Sequence, residues 1–427
     1  MKVTTPTSGA RVLLIMSPAT YRAGAFRDAA ARIDLDIVVA IDMPEPLSER
    51  YRGELAIDFH DVEQATSKLS SWVRDHPDPP VMAVLAVDDR GSEIAARASE
   101  LLGLPHNDPA SALAARDKWV MRRALERGGV PVPRYASVPA DTDPATIADQ
   151  QRYPVVVKPT LLSGSRGVIR ANAPDEFVEA FLRTRRILER SGMPAGDFPI
   201  LIEQYVPGVE VALEGLLTGG DLTTLALFDK PDPLEGPFFE ETIYVTPSRL
   251  PEDVQQAIST RTAESAAAVG LRNGPVHAEP RIDLTTGDIW MIELAGRSIG
   301  GLCASVLEFG AGISLEELIL RHAAGIELPS TARSGAGAGV MMIPIPKGGI
   351  LREVGGQEEA LRVPGVTGIE ITAPCNQPIV PLPEGESYLG FIFAEGSTAG
   401  DAEAALRAAH EKLTFRIDPA ISLMPRG

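Results

Sequence analysis

The stretch Met291-Ile292-Glu293-Leu294-Ala295-Gly296-Arg297-Ser298-Ile299-Gly300-Gly301 follows closely on His277-Ala278-Glu279. Both segments read as apolar strands, so two carboxylates, a guanidinium and a glycine turn fall at the ends of neighbouring strands. A hard cation such as magnesium prefers oxygen ligands and usually shares them with phosphates. An arginine beside it grips a carboxylate through two parallel hydrogen bonds. The pattern points to a place where a nucleotide phosphate meets a carboxylic acid. Trp290, Met291 and Ile292 make the second site a buried one, where an unpaired carboxylate is costly and should meet a metal or a cation. The plain alternative is a structural ion pair between Glu293 and Arg297.

Upstream, Tyr153-Pro154-Val155-Val156-Val157-Lys158-Pro159 reads as a strand, followed at once by the turn Leu162-Ser163-Gly164-Ser165-Arg166-Gly167. Glycines let backbone N–H groups approach phosphate oxygens, and a lysine adds a point charge. The turn lacks the Walker pattern and is no P-loop. Pro109 to Arg127 reads as one helix, ended by Gly128-Gly129. Lys118 on it is a solvated helix lysine unless this helix packs beside the Lys158 strand. Glu203-Gln204-Tyr205-Val206-Pro207-Gly208-Val209-Glu210 joins two strands; an adenine could lie against its apolar end, and Glu210 could accept both ribose hydroxyls. The plain reading there is a strand connection with surface glutamates.

The first part of the chain alternates apolar strands (Val12 to Met16, Ile37 to Ile41, Val81 to Val87) with helical stretches, which implies a parallel sheet with helices on its faces. Asp88-Asp89-Arg90-Gly91 closes the third of these strands. No G-x-G-x-x-G follows the first strand, so a dinucleotide fingerprint is absent. Strands at Val340 to Ile345 and Tyr388 to Ala394 and a helix from Ala402 to Leu413 follow the GAGAG boundary at Gly335 to Gly339.

Composition bounds the class. A chain of 427 residues suggests roughly two to four domains. Its 58 acidic against 40 basic residues give a net charge of −18, which argues against nucleic acid or an anionic membrane as the main partner. Cys303 and Cys375 form no disulfide framework and have no metal-ligand spacing. No apolar run reaches the length of a membrane span, and the apolar stretch at the N-terminus is too short for a signal peptide. The expectation is a cytoplasmic enzyme acting on small molecules.

In this order, the helix lysine, V-V-V-K-P, the small loop, E-Q-Y-V, Glu210, G-P-V-H-A-E and I-E-L-A-G-R-x-I-G-G resemble the ATP-grasp ligases. The stretches DKPDPLEGPFFEETIYVTPSRLP (Asp229 to Pro251) and MMIPIPKGG…SYLGFIFAEG resemble the L-amino acid ligase branch, and that likeness covers nearly the whole chain. It implies an α/β (α+β) ATP-grasp fold: an N-terminal Rossmann-like domain over 1–112, a small lid over 113–206, a large subdomain over 207–332 and a C-terminal subdomain over 333–427.

The resemblance also implies ATP and Mg2+, with Mn2+ as a substitute, and a carboxylate–amine ligation through an acylphosphate. Lys118 and Lys158 would bind phosphates under a flap of Ser163, Gly164, Ser165 and Gly167. Glu203, Tyr205 and Val206 would frame adenine, and Glu210 the ribose. Glu279 and Glu293 would hold the metal. Arg297 would hold the carboxylate under attack, and Glu241, Gly300 and Gly301 would help form the amino acid pocket. Ala295 stands where many ATP-grasp enzymes have a metal-binding asparagine, which leaves a second magnesium less well held. His277 is a candidate base for the amine, or a packed strand residue. A homodimer would suit the fold. Other readings are a biotin-carboxylase-like or purine-pathway ligase and a non-catalytic nucleotide scaffold.

Overall fold

The computed structural model describes residues 9–18, 20–48, 55–192, 198–310, 312–385 and 387–420. The first strand, Arg11–Met16, pairs in parallel with Asp36–Asp42 on one side and Val81–Ala86 on the other, and Leu55–Ile57 completes a four-stranded parallel sheet. Its residues alternate between two cores: Leu13 and Ile15 pack with Leu69 and Ile94, while Val12, Leu14 and Met16 pack with Phe26 and Leu318. A strand buried on both faces reads as an unbroken apolar run, which is why VLLIM was legible.

The next unit is a four-stranded antiparallel sheet in the order Tyr135–Val138, Ile200–Gln204, Val155–Pro159, Ile169–Ala171, with the helix Pro174–Arg190 on one face. The two-residue period of a strand divides V-V-V-K in two. Val155 and Val157 join Phe177 and Phe181 in the core of this unit. Val156 and Lys158 face the cleft opposite.

The expected single helix over Pro109 to Arg127 is two helices, Pro109–Arg116 and Lys118–Arg127. Asp117 breaks it: its backbone is extended (φ −90°, ψ 114°), and its carboxylate accepts from Trp119 N and Val120 N as an N-cap. The break turns Lys118 N toward Thr160 O, 2.9 Å away, so the second helix starts against the end of the Lys158 strand.

The largest sheet has eight strands in the order Ile289–Ala295, Gly274–Ile282, Val209–Thr218, Asp221–Asp229, Ile243–Thr246, Gly337–Ile343, Gly390–Gly396, Val366–Ile371. It therefore runs on across residue 333. A three-stranded sheet of Pro378–Ile379, Gly349–Gly355 and Thr414–Asp418 lies beyond it, and the helix Ala399–His410 starts with a capping box of Thr398 and Asp401. Among the described residues no helix is long and apolar enough to cross a membrane.

Candidate active site

One cleft between the lid sheet and the large sheet gathers Lys118, Lys158, Ser163, Gly164, Ser165, Glu203, Tyr205, Val206, Glu210, Glu241, Glu279 and Glu293 in its walls. Residues spread over about 180 positions meet there because one face of the lid sheet, the strands Val209–Thr218, Gly274–Ile282 and Ile289–Ala295 of the large sheet and the flap turn converge on it. The flap bends sharply, with Gly164 at φ 62° and Ser165 at φ 54° in the left-handed region, where only a glycine is unstrained. Its far end is tied to the C-terminal part of the chain, Gly167 N donating to Pro383 O at 2.9 Å and Arg166 Nε to Glu384 O at 3.0 Å.

Both phosphate-lysine candidates are buried. Lys118 Nζ donates to Leu162 O at 2.8 Å and lies 3.6 Å from Glu293. Lys158 pairs with Glu203, which also takes Arg122; Arg122 Nη2 in turn donates to Ile292 O at 2.6 Å. Burial pushes the Lys158 ammonium below its usual range, with Glu203 opposing. Arg122 and Lys158 together outweigh burial at Glu203 and hold its carboxyl low. The Glu203 side chain is thus committed to two cations, and an adenine here would be framed by Tyr205, Val206 and backbone groups.

The acidic centre is arranged differently from the expected pair. Glu279 and Glu293 are partners across the ladder, yet Glu279 clusters with Glu210 and Glu241, whose oxygens all lie within 4.8 Å of one another. Lys230 sits among the three, 2.8 Å from Glu210, 2.6 Å from Glu279 and in contact with Glu241. Tyr244 Oη donates to Glu279 at 3.1 Å. Burial and the Glu279 carboxylate push Glu241 up to about 7, whereas Lys230 and His277 overcome burial and hold Glu279 well down. Three half-buried carboxylates form a hard-oxygen donor set that fits a magnesium-like cation. Lys230 was missed in the sequence although the signal was present: D-K-P closes an apolar strand as V-K-P does at Lys158.

His277 lies between Glu214, which it contacts through Nδ1, and Glu279, 3.3 Å from Nε2. Burial would depress it, but Glu214 outweighs burial and lifts it to about 10. The two flanking carboxylates favour its imidazolium form. The other oxygen of Glu214 accepts from Ile299 N at 3.0 Å and fixes the turn after Arg297. The sign follows directly: a cation raised from 6.5 to about 10 stabilises the fold fully below pH 6.5 and loses that contribution as pH climbs toward 10. In metal-free buffer, denaturation should show stability falling across that window by on the order of a few kcal/mol, and His277→Gln should flatten the slope. A wild-type profile already flat there would contradict the pairing.

The proposed structural pair of Glu293 with Arg297 is not formed. Arg297 instead grips Asp89 of the N-terminal sheet, Nε to Oδ1 at 3.0 Å and Nη2 to Oδ2 at 2.8 Å. Asp89 lies beyond the reach of sequence spacing, being 208 positions away. Gly301 has φ +59°, and a Cβ there would lie 3.1 Å from the Phe391 ring; at Gly300 it would meet nothing within 4 Å.

Comparison with known proteins matches residues 151–306 to an ATP-grasp domain and residues 341–418 to the L-amino acid ligase C-terminal domain 2. The chain is 27% identical over 240 residues to alanine–anticapsin ligase of Bacillus subtilis, covering 53% of this chain and 50% of that protein. It is 30% identical over 197 residues to D-alanine–D-alanine ligase of Aromatoleum aromaticum, covering 44% of this chain and 60% of that one. The chain thus spans half to three fifths of the length of these two relatives. The crystal structure of an L-amino acid ligase from Bacillus licheniformis superposes with a TM-score of 0.80 at 24% identity, over 98% of this chain and all of that one. With its two lysines, flap and carboxylates around one cleft, the chain carries an ATP-grasp domain over residues 151–306 and the C-terminal domain 2 of L-amino acid ligases over residues 341–418.

Proposed function

We propose that the chain is an ATP-dependent carboxylate–amine ligase that joins an amino acid to an amine, a second amino acid being the natural choice, with release of ADP and phosphate. The carrying observation is the convergence of Lys118 and Lys158 under a glycine turn on one side with Glu279 and Glu293 on the other. The matched domains support the same reading.

Phosphoryl transfer needs positioning and charge neutralisation more than covalent chemistry. In this reading Lys118 and Lys158 orient the phosphates, and the Ser163–Gly167 flap excludes water from an acylphosphate that would otherwise hydrolyse. Glu279 and Glu293, with Glu210 and Glu241 beside them, would hold magnesium, which when bound supplies charge neutralisation at the transferring phosphate. Lys230 keeps the acidic cluster compact. Arg297 holds the substrate carboxylate in its fork. His277, already protonated, fixes Glu279 instead of serving as a base. We take 113–206 as the lid, and a cytoplasmic setting suits both the ATP requirement and two free cysteines.

The test is phosphate release with ATP and magnesium across pairs of free amino acids, with mass spectrometry of the products. A product mass equal to both amino acids minus water establishes the ligation. Absence of pair-dependent phosphate release across a broad panel of acids and amines would sink the reading.

The glycine turn carries the pocket for the amino acid side chain. A bulky residue at 301 is strained whatever the pocket holds, because of its positive φ and Phe391. Gly300 is the cleaner probe: Gly300→Trp should shift acceptance toward small amino acids by about tenfold or more in kcat/KM. An unchanged preference order in competition assays would remove Gly300 from the pocket.

A further inference from the structure

We propose that Asp89 is the anchor for the amine substrate, and that its grip on Arg297 holds the place of the substrate carboxylate; the inference rests on the ligase reading above. Asp89 belongs to the turn Asp88-Asp89-Arg90-Gly91 at the carboxyl end of Val81–Ala86, the edge strand of the N-terminal parallel sheet. Ligands of open parallel α/β sheets sit beyond such strand ends. Asp88 locks the turn, accepting from Ser17 N at 2.7 Å and Arg90 N at 3.2 Å. That leaves Asp89 to reach out of its own domain, and both its oxygens meet the Arg297 fork. A bidentate carboxylate is the ligand that fork is shaped for. The protein's own carboxylate therefore occupies the position that the reaction needs for a substrate carboxylate.

Asp89 also faces a second space. It lines a cavity of about 530 Å3 between the N-terminal domain and the large sheet, together with Gly296 and Ser298, the two neighbours of Arg297. The nucleotide cleft reaches the same turn from Glu293, four residues before Arg297, and the charge of Lys118 in its wall bears on Asp89. Asp89 thus stands at the boundary between the two. A volume of this size suits a small molecule. Its walls are mostly alanine and other apolar side chains, and they include Arg116, a guanidinium with no acidic partner among the described residues. An anion at one wall, an unpaired cation at another and apolar surface between them match an amino acid with an apolar side chain.

When the first substrate's carboxylate takes Arg297, Asp89 is left as a half-buried anion beside the acyl carbon, and an ammonium is the group that satisfies it. The ammonium gives one proton to Asp89 and its nitrogen attacks the acylphosphate carbon. The C–N bond forms, the C–O bond to phosphate breaks, and the second proton leaves with inorganic phosphate.

Hydroxylamine separates the two halves of the reaction. It is a small neutral nucleophile, so with ATP, magnesium and the first amino acid it traps the acylphosphate as a hydroxamate without an ammonium site. Asp89→Asn keeps the shape and can still accept from Arg297. It should form hydroxamate within about threefold of wild type while the KM for the amine substrate rises about tenfold or more. Asp89→Glu should recover part of that loss. Arg116→Gln, which breaks no pairing and so should fold, should raise the KM for a free amino acid as the amine and leave that of the corresponding amino acid amide unchanged. Equal loss of hydroxamate and amide in Asp89→Asn, or an unchanged amine KM, overturns the assignment of Asp89 alone. A wild-type protein yielding neither product overturns the ligase reading and this inference with it.

Discussion

Lys230→Met should lower the free energy of unfolding by about 3–5 kcal/mol, the range for removing one partner of a buried charge cluster. Lys230 has 3% of its side chain exposed and is shared by Glu210, Glu241 and Glu279. Methionine fills the same volume without charge, so three carboxylates within 4.8 Å of one another lose their common cation. Two features make the effect specific. The deficit should narrow as pH falls below about 7, because Glu241 already titrates near there and protonation relieves the repulsion. It should also shrink when a divalent cation is added, since the same oxygens form a hard donor set. Urea denaturation in chelator, at pH 5.5 and 8, and again with magnesium, measures all three. A loss below about 1 kcal/mol that ignores pH and magnesium would mean that Lys230 does not organise the cluster.

The second large effect concerns chemistry. Arg297→Lys should reduce turnover by about 10²–10³-fold, the scale for losing one donor aimed at developing charge. Lysine keeps the positive charge and cannot reproduce the two-pronged contact, so Asp89 remains paired through one bond and the fold survives. Arg297 stays outside the walls of the nucleotide cleft. The KM for ATP should therefore stay within about twofold while kcat falls. Steady-state kinetics on the best amino acid pair reads this split. A variant that loses ATP affinity and keeps kcat would place Arg297 on the nucleotide instead of on the carboxylate.

Much of the site was legible because each element carries its own chemical signature. A lysine that closes an apolar strand before a glycine turn reads as a phosphate candidate, and period-two alternation then puts Lys158 opposite the lid core. The order of motifs from Lys118 to Gly301 supplied what no single motif could. Other residues were less readable. Lys118 stayed open between phosphate and solvent, because the answer depended on Asp117 breaking a helix that local propensity would continue. Arg122 looks like any lysine or arginine on an amphipathic helix, and only its burial against Glu203 shows its part.

The sequence by itself indicated the fold class, the parallel N-terminal sheet, the glycine flap and the candidates Lys158, Glu210, Glu279 and Glu293. The sheet and the flap follow from local periodicity and turn chemistry, which depend on near neighbours along the chain, whereas the fold class and Lys118, Glu203 and Glu241 follow from the resemblance carried by the order of motifs. The tertiary structure alone decided who pairs with whom. It gathered Glu210, Glu241 and Glu279 about Lys230, locked His277 as a cation between Glu214 and Glu279, and closed Arg297 on Asp89 instead of Glu293. Charge pairing acts over a few ångströms in space with no regard to separation in sequence, and burial amplifies it. A buried charge therefore takes the partner that the packing of sheets brings within reach.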